Sequence, residues 1–252
     1  MTNWAKAQVG VCVLVAFGVL VYGSIVEWDW YFIAIAMAAV LTYAGLTAYE
    51  SMAVDPKNIA LVATLGAVSS IGRVVVQGIP DAEPATFLVL MSGFSFGPVV
   101  GAVVGALTAL GSNLVLGEGI WTPWQMVAWG LVGFSAGLLR RMWPSIRIRW
   151  LIPFAVVCGY AFGWFMNIQY LLGESSVTWK AYLAACVASF FPFDTTNAVV
   201  TAGLVAIAGY PVYQIFERFR KRMVVTRLDS SDGYSETGNE REDIANTERN
   251  EF

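Results

Sequence analysis

Between residues 8 and 210 the sequence passes from one long apolar run to the next, and this limits what the chain can become more than any motif does. A helix needs about 20 apolar residues to cross the hydrocarbon core of a bilayer. Runs near that length fall at residues 8–26, 30–49, 57–77, 98–116, 123–139, 150–171 and 180–210, with a shorter one at 84–97 that needs neighbours to shield it. With 57% of 252 residues hydrophobic and only 13% charged, no soluble core is large enough to hide that surface. The expectation is an all-α integral membrane protein of about eight transmembrane helices. The first run has no small-residue cleavage site behind it and further long runs follow, so it reads as a retained span and not as a removed signal peptide.

Cationic side chains orient the spans, because loops on the cytoplasmic side carry an excess of Lys and Arg. With the N-terminus in the cytoplasm, Lys6, Lys57, Arg140, Arg141, Arg147, Arg149 and the cluster Arg218, Arg220, Lys221, Arg222 and Arg227 all fall inside. Only Arg73 and Lys180 then fall towards the outside. The outer loops hold Glu27, Asp29, Asp81, Glu83, Glu118 and Glu174, which are ordinary solvated acids unless something else claims them. A multi-pass protein of the cell membrane with both termini cytoplasmic follows. From Leu228 the sequence turns to Asp, Ser, Asn, Glu and Thr, the composition of a disordered tail. Three parts are therefore expected: a transmembrane hairpin and linker over 1–56, a six-helix membrane domain over 57–227, and an acidic cytoplasmic tail over 228–252. The basic cluster ahead of the tail either meets anionic lipid head groups or only marks the end of the last span.

The residue inventory removes several chemistries. The chain has no histidine, which excludes a Ser-His-Asp triad, a Cys-His pair and any histidine-ligated metal. Cys12, Cys158 and Cys186 lie inside apolar runs without ligand-like spacing, so buried packing suits them better than a metal site or a disulfide. No glycine-rich loop is followed by Lys and Ser or Thr, so any energy from ATP comes from another polypeptide. Neither an enzyme activity, a cofactor nor a nucleic-acid partner is expected.

Small residues mark where helices approach. Gly97, Gly101, Gly105, Ala109 and Asn113 recur every four residues and line one face of the 98–116 helix, which places it at the centre of a bundle. Gly133 and Gly137 repeat the pattern on the next helix. Ala63 and Ala67 repeat it on 57–77, where the smooth face either packs inside the bundle or receives a separate membrane subunit.

Polar groups at membrane depth mark the candidate site. Residues 117–130 read Gly-Glu-Gly-Ile-Trp-Thr-Pro-Trp-Gln-Met-Val-Ala-Trp-Gly, setting Glu118, Trp121, Trp124, Gln125 and Trp129 around a helix start at Pro123. Aromatic faces beside hydrogen-bonding groups suit a ligand with a flat apolar body and a polar edge. Arg73, late in its span, costs about 2.5 to 3.5 kcal/mol unless it snorkels or pairs, and its partner is either Glu83 or Asp81 or a ligand. Asp194 follows Pro192, which interrupts the last helix, and Asn197 lies one turn on; the carboxylate either caps the broken helix or meets a ligand. Asn167 and Gln169 sit at a similar depth. Set on the topology, Arg73, Glu118, Trp121, Trp124, Gln125, Asn167, Gln169, Asp194 and Asn197 nearly all gather in the outer half, which predicts a polar cavity that opens outward. No charged groups line up across the inner half, as a proton relay or secondary carrier requires, and no inverted repeat is apparent. The pattern is that of a membrane receptor that holds a ligand and borrows its motor.

The stretch from Lys57 to Tyr210 resembles the substrate-binding S component of energy-coupling factor (ECF) vitamin transporters. The likeness rests on Ala63 and Ala67, the Arg73 to Pro84 stretch, Phe96-Gly97-Pro98 with its glycine ladder, and above all Gly117 to Gly130. The resemblance implies a six-helix bundle that binds a vitamin at its outer side and docks through alanine-bearing faces on a transmembrane T component, itself coupled to two ATPases. It also implies that toppling of the whole component carries the ligand across. The hairpin over 8–49 is additional to that pattern, as an inert anchor or as an element that steers toppling. The tryptophan-rich motif is most similar to members assigned to cobalamin or related corrinoids, while riboflavin or another flat heterocycle also gains from aromatic walls. A stand-alone carrier or channel, and a scaffold whose tryptophans form only an interfacial belt, are the alternatives.

Overall fold

A computed structural model of the chain describes residues 56–172 and 178–223, with scattered helical positions between residues 8 and 40. The expected hairpin is described only at those positions, and Glu27, Asp29, Glu174 and the acidic tail lie outside the described residues. Seven helices follow in order: α1 (Pro56–Val75), α2 (Pro84–Phe96), α3 (Pro98–Leu116), α4 (Trp121–Met142), α5 (Leu151–Leu172), α6 (Trp179–Ser189) and α7 (Thr195–Met223). A short 3-10 turn, Ile148–Trp150, leads into α5, and a π turn, Phe190–Asp194, joins α6 to α7. No strand occurs among the described residues. Residues 1–219 form one compact unit, and the contacts described below all fall within it.

Among the described residues, four helical stretches are long and apolar enough to cross a membrane: Lys57–Val75, Pro98–Leu116, Ile148–Gln169 and Trp179–Lys221. Helix α4 has the length, 22 residues, but its polar first turns and terminal Arg140 and Arg141 keep it out of that group. Helix α2 has only 13 residues, which at about 1.5 Å of rise each spans less than a bilayer core. It is buried on every side by its neighbours, as its all-round apolar sequence requires.

Two boundaries differ from the sequence expectation. The last span, expected as one helix over 180–210, is two, because Phe191 adopts extended angles (φ −133°, ψ 129°) ahead of Pro192. A residue before proline avoids the helical region, and proline has no N–H to continue the ladder. Seven helices therefore stand where six spans were expected. Helix α4 begins at Trp121 and not at Pro123, which falls in the first turn, where backbone N–H groups have no intrahelical acceptor and a proline loses nothing.

Backbone contact between glycines sets the centre of the bundle. A Cβ on Gly101 would overlap the backbone of Gly133, and one on Gly133 the backbone of Gly101. Gly105 meets Trp129 and Gly130 in the same manner, and Gly137 meets Gly97 and Pro98. The α3–α4 pair is thus packed main chain to main chain. Gly97 (φ 102°) and Gly117 (φ 108°) close α2 and α3 in conformations that side chains rarely adopt, and each donates its N–H at 2.8 Å to a carbonyl four residues back. Leu90, Met91, Phe94, Val104, Trp129 and Leu151 are the large, fully enclosed members of the core.

Candidate functional site

Arg73 lies two residues from the end of α1, and the chain turns back through Asp81 (φ 50°) to start α2 at Pro84. This turn returns Glu83 to Arg73. The guanidinium Nε donates to Glu83 Oε1 at 3.1 Å, with side chains only 12% and 10% exposed. Of the two acids the sequence offered, Glu83 is the partner. Burial pushes the Glu83 carboxyl up from 4.5 to about 7, against the pull of Arg73 and with a smaller upward contribution from Asp81. Its second oxygen, Oε2, is buried without a hydrogen bond among the described residues.

Arg73 also reaches α3. Its Nη1 donates to Ser112 Oγ at 2.8 Å and to Asn113 Oδ1 at 2.6 Å. Asn113 ends the four-residue ladder of small side chains, so the close α3–α4 packing points its amide into the first turn of α4. There Asn113 Nδ2 donates to Thr122 Oγ1 and to Gln125 Oε1, both at 2.8 Å. One continuous buried network thus runs from Glu83 through Arg73 and Asn113 to Gln125, tying α1, α2, α3 and α4 together.

The three tryptophans of the motif have different surroundings. Trp129 is fully buried beneath Arg73, whose Cζ stands 5.0 Å from the ring centre; its Nε1 donates to Thr86 Oγ1 at 3.0 Å, and Phe162 lies 4.8 Å away. Trp124 is 1% exposed, packs on Phe165 at 5.4 Å and is flanked by Met166, Val21 and Val40. Its indole Nε1 is buried without a hydrogen-bond partner among the described residues. Trp121 is 42% exposed and lies over Gly119, where a Cβ would come within 2.6 Å of the ring. Glu118, beside it, has a buried Oε1 without a hydrogen bond among the described residues.

A second polar cluster forms where α5 meets the π turn. Asn167 Nδ2 donates to Ser189 Oγ at 2.9 Å, and Ser189 Oγ donates to Asp194 Oδ2 at 2.8 Å. Asp194, 4% exposed, presses against Gly163, which has no Cβ to obstruct it. Asn197 is buried and accepts from Thr201 within α7 at 3.1 Å. Gln169 is half-buried, with no side-chain hydrogen bond among the described residues. The two clusters share a field: Asp81 is raised above the ordinary carboxylate range by desolvation and then by the charge of Asp194, against the pull of Arg73.

The structure brings Arg73, Gln125 and Trp129 into one network, sets Asn167 and Asp194 in another, and leaves Asn197 and Gln169 outside both. The polar groups expected to line an outward-opening cavity are packed largely against one another, as a buried ion pair demands, since either charge alone is costly there. Two cavities, of about 590 and 400 Å³, lie elsewhere, the first among residues of the α4–α5 turn and α7, the second along α1 and α3. Ser112, Thr86, Thr122, Phe162 and Phe165 were not singled out from the sequence. Asn113 was legible only as the end of the small-residue ladder, which is the signal that it points into the helix contact.

Ala63 and Ala67 face outward. Both are exposed and line the 400 Å³ groove with Gly66, Ser70, Leu107 and Gly111. A family model described as ECF transporter, substrate-specific component, matches residues 57–209, from the start of α1 into α7. No solved structure matches the chain.

Proposed function

The chain belongs to the family of ECF transporter substrate-specific components, and on that premise we propose that it captures a vitamin or related micronutrient at the Arg73–Asn113–Gln125 end of the bundle. As a member of that family it is a transporter subunit, works with T and ATPase modules, and is not an enzyme. The observation that carries the site is the set of buried polar atoms left without a hydrogen-bond partner among the described residues at this end: Glu83 Oε2, Glu118 Oε1 and Trp124 Nε1. Buried donors and acceptors are rarely left unsatisfied, and a ligand with matching polar edges supplies what each lacks. Arg73, Trp121, Trp129, Asn167, Gln169, Asp194 and Asn197 complete the proposed lining.

A cobalamin-type corrinoid is the first ligand of this proposal, on the likeness of the tryptophan motif. A riboflavin-like heterocycle is the second, favoured by the enclosure of Trp124 and Trp129, which leaves Trp121 as the exposed one of the motif's three tryptophans. The packing of Val21 and Val40 on Trp124 favours the N-terminal hairpin as a wall of this site over an inert anchor. The groove bearing Ala63 and Ala67 is the proposed seat of the T component, because exposed small side chains allow a partner helix to approach closely. The site faces the cell exterior in this proposal, with both termini cytoplasmic.

Binding titrations of the purified protein with cobalamin, riboflavin, biotin and thiamine, together with mass spectrometry of ligand released on denaturation, test the reading. Tight binding of one vitamin that falls on Gln125→Ala supports it. Failure of all four ligands, with none released from the protein, defeats it, and uptake without any partner ATPase would replace it with a stand-alone carrier.

A further inference from the structure

At the opposite end of the bundle the sequence places Arg140, Arg147 and Arg149 within ten residues, and the fold turns them into the walls of one cavity. Pro144 follows the end of α4, and the turn from 143 to 150 arches over α7. Ile148 fits there against Gly209, which offers no side chain in its way. Arg140 braces the arch. Its Nη1 donates to Ile146 O at 3.1 Å and its Nη2 to Tyr213 Oη at 3.2 Å, with Cζ 5.1 Å from the Phe94 ring centre.

The cavity, open on one side, has a volume of about 590 Å³, and no carboxylate is among the residues that line it. Arg147 and Arg149 are exposed along its wall, and among the described residues neither side chain has an ion pair or hydrogen bond. Ser145, Tyr210 and Tyr213 add hydroxyls to the wall, while Ile146, Ile152 and Val205 supply apolar surface. Trp143 (56% exposed) and Trp150 (58% exposed) flank the turn, as aromatic side chains do at the level of lipid head groups. A guanidinium pair over an apolar floor, at interfacial depth, matches a phosphodiester with hydrocarbon attached. We propose that this cavity binds the phosphate head group of an anionic membrane phospholipid, held by Arg147 and Arg149 and seated against Arg140. This is a site separate from the basic cluster after Glu217, and it does not depend on which vitamin the chain carries.

The full chain, reconstituted in phosphatidylcholine nanodiscs with and without phosphatidylglycerol, provides the test. Native mass spectrometry of the released protein should show retained phosphatidylglycerol, and the anionic lipid should raise the melting temperature. In R147Q/R149Q, which removes two charge-assisted contacts to the phosphate, the lipid affinity should drop about a hundredfold. The control R141Q/R218Q removes the same charge from positions outside the cavity, where salt screens it, and should lose several-fold less. Equal loss in both double variants would reduce the effect to bulk surface charge and overturn the proposal. So would an unvaried protein with no preference for phosphatidylglycerol over phosphatidylcholine, or one stabilised by inorganic phosphate alone with no lipid retained.

Discussion

Arg73 on α1 and Asn113 on α3 lie 2.6 Å apart, Nη1 to Oδ1, and Asn113 passes the connection on to Thr122 and Gln125 of α4 at 2.8 Å each. A single amide thus links the buried cation to the helix that carries the tryptophan motif. Both ends of that amide are used, so it holds the two helices in a fixed relation.

Asn113→Leu should therefore cost more than a lost contact. It leaves Arg73 with one partner fewer and Gln125 with a buried, unmet acceptor, each orphaned group worth about 1–3 kcal/mol. The expected outcome is a clearly lowered melting temperature in detergent together with loss of vitamin binding. A variant that melts and binds like the parent would show the network to be dispensable.

Glu83 gives the network a pH dependence of definite sign. Its carboxyl is raised from 4.5 to about 7, so the folded chain holds the proton more tightly than the unfolded one. That contribution is fully present below about 4.5 and is lost as pH rises through about 7. Melting temperature should accordingly fall across this window, and Glu83→Gln, which keeps an acceptor but cannot titrate, should flatten the fall. Identical slopes in the two proteins would show that Glu83 titrates normally.

Trp124 offers a test of the ligand contact that leaves the packing mostly intact. Trp124→Phe keeps an aromatic ring against Phe165 but removes the unpartnered N–H. Binding of the vitamin should weaken about five- to tenfold, the worth of one hydrogen bond. Unchanged affinity in titration would remove Trp124 Nε1 from the site.

Ala63 and Ala67 are exposed, so enlarging them should spare folding and affect only what docks there. Ala63→Trp with Ala67→Leu should bind the vitamin as the parent does, yet fail to co-purify with a T component and lose uptake. Retained co-purification would place the interface on another face.

The glycine contacts make opposite predictions at two positions. Gly133→Ala drives a methyl into the backbone of Gly101 and should destabilise by about 1–3 kcal/mol or more. Gly203→Ala, inside α7 with nothing within 4 Å of the added methyl, should stabilise by about 0.4–1 kcal/mol. Thermal unfolding of the two variants decides both.

Much of the architecture was legible in the apolar runs. The expected spans at 57–77, 84–97, 98–116 and 150–171 fall within two residues of α1, α2, α3 and α5 at each boundary. Pro192 announced the break in the last span, though not that two helices would result. The need of Arg73 for an acid was also legible, since burial of an unpaired guanidinium is costly in any fold. Which acid answers it was not, because Asp81 and Glu83 are two residues apart and the path of the turn, with φ 50° at Asp81, is set only in the folded chain.

The sequence by itself determined that the chain is helical and suited to a membrane, because hydropathy and the length of a run act locally and need no partner. It also determined where helices touch, since a stripe of glycines is useful only to a close neighbour. Tertiary structure alone decided what the polar residues do. It closed Arg73, Asn113 and Gln125 into one network, enclosed Trp124 and Trp129 while leaving Trp121 exposed, and gathered Arg140, Arg147 and Arg149 around a cavity. Hydrogen bonds and ion pairs act over about 3 Å, and only the packing of helices distant in sequence sets which groups come that close.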